Sequence, residues 1–84
     1  MAVMKMTAEE IGILRKMLKM SEGEFADRIE VKDREAIKLL ETGALKPTLL
    51  TQKHLIRLLG TASTRSPKLK KMYEAIKERS QVRW

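Results

Sequence analysis

Eighty-four residues make one small domain, close to the size at which a hydrophobic core becomes marginal, so oligomerisation would help stability. The chain has no cysteine, which excludes a disulfide framework, a thiolate metal site and a cysteine nucleophile. Its formal net charge of +7, from 18 Lys and Arg against 11 Asp and Glu, favours polyanions, nucleic acid first; a charged surface kept for solubility is the alternative. The excess is C-terminal, because residues 1–64 hold 11 basic and 9 acidic side chains whereas residues 65–84 hold 7 and 2. No apolar run approaches the roughly 20 residues of a membrane span, and the Met-rich opening lacks the apolar stretch of a secretory signal. A cytoplasmic, nucleoid-associated protein with no membrane partner is therefore expected.

Met1 to Met6 is too short to classify and reads as either a frayed end or a short strand pairing with a second subunit. Thr7-Ala8-Glu9-Glu10 is a capping box, and Ile11, Leu14 and Leu18 follow at i, i+3 and i+7 with Met17 at their flank, so a first helix is predicted from Ala8 to about Lys19. Gly12 weakens it by about 1 kcal/mol relative to alanine. A second capping box, Ser21 with Glu24, starts a short helix whose apolar stripe is Phe25, Ala26 and Ile29. Glu30-Val31-Lys32 interrupts that pattern, and Asp33 caps a third helix over Arg34 to Glu41 that Gly43 can end with positive φ. Counting 100° per residue puts Leu40 beside Ile37 and turns Glu35, Lys38, Leu39 and Thr42 to the far side. A helix of about three turns fits the DNA major groove, roughly 12 Å wide, and an outward Leu39 either packs on a thymine methyl or is a solitary surface apolar residue.

Leu14-Arg15-Lys16, Ser21, Phe25-Ala26, Ile29 and Val31, then Ile37, Leu40-Glu41, Gly43 and Pro47, together resemble the helix-turn-helix domain of the phage lambda repressor and Cro (Xre-like) family. The likeness covers about residues 7–60 and rests on the spacing of these residue types. Two departures stand out: Glu30 occupies the place of the usual turn glycine, and the stretch from Glu30 to Glu41 is one residue longer than the common pattern. The second leaves open, by one position, which residues of the third helix would reach bases. The resemblance implies an all-α, compact five-helix bundle of the lambda repressor-like type. It also implies an ion pair between Arg15 and Glu41, the alternative being two independent surface charges. Lys46 and Thr48, in the loop after Gly43, are placed as in similar domains to touch phosphate, which fixes register without reading sequence.

Pro47 bars a helix through it, and Thr48 or Thr51 can cap a fourth helix carrying Leu55, Ile56, Leu58 and Leu59 and ending at Gly60. Gly60 to Arg65 reads as a connector, which divides the chain into a DNA-binding part, residues 1–64, and a C-terminal helix and tail, residues 65–84, within one domain. Ser66-Pro67 starts a fifth helix running to about Arg79. Leu69, Met72, Tyr73 and Ile76 share one side of it, and Lys68, Lys70, Lys71, Lys77 and Arg79 fill much of the rest. That apolar line suits packing on its own domain or a homodimer seam better than a helix lying along a polyanion, and the dimer seam is the favoured use.

No catalytic, metal or cofactor site is expected. His54 is the lone histidine and reads as a surface residue without a second His or Cys to share a metal. None of the 4 glycines falls in a phosphate-loop pattern, and the paired acids sit at helix starts, where the macrodipole explains them. The 6 methionines read as core filler, and Phe25, Tyr73 and Trp84 make no stacking platform for single strands. The expected function is a sequence-specific repressor that binds double-stranded DNA as a homodimer on a palindromic site. Arg34, Glu35, Lys38 and Leu39 would meet bases, and Ser21, Lys32, Lys46 and Thr48 the backbone. The alternative is a protein-interaction module: an antitoxin binding its toxin, or a factor bridging to polymerase.

Overall fold

Every helix start among the described residues is marked by an oxygen that accepts from a first-turn amide. Thr7 accepts from Glu10 at 3.2 Å while Glu10 accepts from the Thr7 amide at 2.9 Å, and Ser21 and Glu24 repeat the exchange at 3.1 Å each way. Asp33 accepts from Ala36 at 3.0 Å, Thr48 from Thr51 at 3.1 Å and Ser66 from Leu69 at 3.3 Å. Each such cap contributes about 1 kcal/mol. The computed structural model describes residues 4–80 as five α-helices with no strand among them: α1 Ala8–Met17, α2 Glu22–Arg28, α3 Arg34–Thr42, α4 Leu49–Ser63 and α5 Pro67–Ser80. Of the Met1 to Met6 segment, read as a frayed end or a pairing strand, residues 1–3 lie outside the described residues, as does the tail with Arg83 and Trp84, and residues 4–6 form no strand.

Three helix ends need a left-handed residue. Gly43 supplies it after α3 with φ 86°, while Lys19 and Glu30 adopt φ 57° after α1 and α2. Their turns close by backbone bonds that span five residues, Met20 N–H to the Arg15 carbonyl at 3.2 Å and Val31 N–H to the Ala26 carbonyl at 2.8 Å. The left-handed residue between α2 and α3 is thus Glu30, the position where the lambda-like pattern carries glycine.

α3 lies between α1 and α2, and α4 packs on α5, which reaches back to α1. Ile11, Leu14, Phe25, Ile29, Ile37, Leu55, Leu59 and Ile76 are fully enclosed where these helices meet. Each of the five helices therefore contributes a side chain that would cost about 2 to 5 kcal/mol to truncate to alanine.

Two features differ from the sequence expectation. α4 runs through Gly60 to Ser63, so residues 60–63 are helix and not a connector. Their hydroxyls bond back onto the helix, Thr61 to the Arg57 carbonyl at 3.1 Å and Ser63 to the Gly60 carbonyl at 2.7 Å. Gly60 marks a crossing: a β-carbon there would stand 3.7 Å from the Tyr73 ring of α5. The second difference concerns the fifth helix. Leu69 and Ile76, expected in a dimer seam, are buried in the core of their own chain, and Met72 and Tyr73 pack half-buried against it. The apolar line of α5 is needed at home because α4 offers it Leu55, Leu59 and Ala62.

Two polar ties fasten the ends of the described chain. The buried Gln52 amide accepts from the Met6 N–H at 2.9 Å and donates to the Met6 carbonyl at 3.2 Å. Arg79 donates to both Glu10 oxygens, at 3.1 and 2.8 Å, and to the Lys5 carbonyl at 2.7 Å. No helix among the described residues is long and apolar enough to cross a membrane.

Candidate nucleic-acid interface

α3 is two-sided. Ile37 and Leu40 are buried beneath it, whereas Arg34, Glu35, Lys38, Leu39 and Thr42 are all exposed. No other part of the described chain covers that outer face. Lys38 Nζ stands 3.7 Å from Glu35 Oε1, with both side chains more than half exposed. An ion pair so wet is worth a few tenths of a kcal/mol and leaves both groups free to exchange partners.

The rear of α3 is fixed more firmly. Arg15 on α1 donates from Nε to Glu41 Oε2 at 2.5 Å and from Nη2 to Oε1 at 3.2 Å, and its third contact is Nη1 to the Met20 carbonyl at 3.1 Å. Their side chains are 17% and 15% exposed. The hydrogen bond to Glu41 holds the guanidinium above its ordinary pKa, against burial, which works the other way. One arginine thereby joins α1, the turn before α2 and the last turn of α3.

Ser21, Lys32, Lys46 and Thr48 are all exposed, but none is hydrogen-bonded or ion-paired to the α3 side chains among the described residues. The Ser21 and Thr48 hydroxyls are occupied as caps, and Thr48 also donates to Thr51 Oγ1 at 3.1 Å. Lys32 stands in the α2–α3 turn and Lys46 in the α3–α4 loop.

His54 is not the surface residue expected from the sequence. Its side chain is 17% exposed, Nε2 has no hydrogen-bond partner, and Glu30 Oε2 lies 3.7 Å away, because α4 runs beside the α2–α3 turn. Gln52 was also legible in principle: it stands three residues before Leu55 and seven before Leu59, on the apolar stripe, where a polar side chain needs a buried partner. The Arg79–Glu10 contact had no local signal. Burial would raise the Glu10 carboxyl, but the hydrogen bond and charge of Arg79 and the Thr7 amide outweigh it and leave its pKa below the ordinary value.

No protein-family model matches the chain, nor does any curated protein or solved structure.

Proposed function

We propose that the protein binds double-stranded DNA through the outer face of α3 and represses transcription as a homodimer, in the manner of the lambda repressor and Cro family that its sequence resembles. The observation that carries this reading is the division of α3: Arg34, Glu35, Lys38 and Leu39 stand in solvent above a wholly buried Ile37. α3 is about 14 Å long at 1.5 Å per residue, which suits insertion into a major groove roughly 12 Å wide. Lys38 or Arg34 donates to guanine, Glu35 accepts from a cytosine amine and Leu39 packs on a thymine methyl. Lys32 and Lys46, with the helix starts at Ser21 and Thr48, bear on phosphates and set the register. The net charge of +7 supports such binding and makes it steeply salt-dependent. With Leu69 and Ile76 committed to the core, a dimer seam on α5 draws on Met72 and Tyr73.

Selection from random duplexes, followed by titration of the selected site at several salt concentrations, tests this directly. Lys38→Ala or Arg34→Ala should relax sequence preference by about tenfold at one base pair. Unchanged preference in both variants would overturn the assignment of α3. Sedimentation of the bound complex should give two chains per palindromic site. A second reading, a protein-interaction module such as an antitoxin or a polymerase-bridging factor, is favoured by the exposed Leu45, Leu49 and Leu50.

A further inference from the structure

Single exposed apolar residues are ordinary on a small protein, but contiguous ones mark a contact surface. Four leucines between residues 39 and 50 stay in water: Leu39 at 46%, Leu45 at 42%, Leu49 at 59% and Leu50 at 63% exposure. The Leu45 amide donates to the Leu39 carbonyl at 3.1 Å, so the loop folds back along the end of α3 and then delivers Leu49 and Leu50 to the start of α4. Leu45, Pro47 and Leu49 wall a groove floored by Leu40, and two lysines, Lys5 and Lys46, line it without any carboxylate.

We propose that this groove binds an acidic amphipathic segment of a protein partner, which inserts leucine-like side chains between Leu45 and Leu49 and sets its carboxylates against Lys5 and Lys46. The charges select this occupant. A second copy meeting the groove through two-fold symmetry would bring Lys46 of each subunit to the same surface with no acid in the lining to offset it. An acidic helix satisfies the lysines and the leucines together, by the helix-in-groove mode. The groove also adjoins the DNA-binding face: Lys46 lines it while serving phosphate in the function proposed above, and the Leu45 amide ties its wall to the α3 backbone at Leu39. Resting on that function, the partner and DNA compete for one corner of the molecule, so the partner relieves repression.

The test uses the full 84-residue chain. The probe is a synthetic peptide of about 15 residues, glutamates with leucines at i, i+3, i+4 and i+7, and the control replaces every glutamate by lysine. Methyl resonances of Leu45 and Leu49 should shift with the acidic peptide and not with the basic one. At saturation the acidic peptide should weaken binding of labelled DNA at least about tenfold. Leu49→Ser, at a groove-lining position already largely in water, should keep the thermal midpoint and DNA affinity while losing about tenfold in peptide affinity. Equal response to both peptides, or unmoved Leu49 methyls, overturns the proposal, as does a sedimentation mass that falls in Leu49→Ser, which would assign the groove to a second copy. A chain that binds DNA but ignores the acidic peptide overturns the groove alone. One that takes the peptide yet binds no DNA at any salt upholds the groove and overturns the repressor function.

Discussion

Replacing Glu41 by alanine should unfasten α3 from α1 at a cost the geometry bounds. Breaking a buried pair by removing one partner costs about 3 to 5 kcal/mol, and an exposed pair contributes about 0 to 1 kcal/mol. Arg15 and Glu41, at 17% and 15% exposure and sharing two hydrogen bonds, lie nearer the buried limit, yet water reaches both. A loss of about 2 kcal/mol follows, which for a domain of this size lowers the thermal midpoint by about 8 to 16 °C. Arg15→Met should cost more than Glu41→Ala, because it strands the Glu41 carboxylate and also releases the Met20 carbonyl, 3.1 Å from Nη1. Urea denaturation of the parent, both single variants and the double variant gives a coupling energy, expected at about 1 kcal/mol or more. Single losses below about 0.5 kcal/mol with no measurable coupling would refute the pair as a structural fastening and return the two residues to independent surface charges.

Gly12→Ala should stabilise by about 1 kcal/mol, read as a higher urea midpoint, because a β-carbon there would meet the Glu41 side chain at 3.7 Å, ordinary van der Waals contact, while gaining helix propensity. Lys19→Gly should raise the thermal midpoint through a gain of about 1 kcal/mol by relieving φ 57°; an unchanged or lower midpoint would mean that the α1 end relaxes differently in solution. The folded Glu10 carboxyl has a lowered pKa, so its contribution is complete above the unfolded value of about 4.5 and is lost as pH falls through the lower folded value. Thermal midpoints measured downward from pH 6 should therefore decline below about 4.5, and more shallowly in Arg79→Gln.

The parts of this fold that could be read from the sequence are those governed by near neighbours. Thr7 with Glu10, Ser21 with Glu24 and Asp33 before α3 are caps spanning three residues, and each formed where its spacing says. The inward Ile37 and Leu40 and the outward Lys38 and Leu39 follow from helical geometry alone. Gly60 was misleading because glycine ends a helix in many chains, whereas here α4 continues through it beside Tyr73, a residue no local rule connects to it. The apolar line on α5 was visible, but a line of apolar residues does not say whether its cover comes from the same chain or another. Leu55 and Leu59 on α4 supplied it. His54 and Arg79 were beyond reach for the same reason, since Glu30 and Glu10, which face them, are 24 and 69 residues away in the chain.

The Arg79 clasp has a geometric consequence. It holds the final helix against Lys5, and Lys5 edges the leucine-walled depression beside α3. One side chain thus ties residues near the two ends of the described chain, so losing Arg79 would loosen both at once.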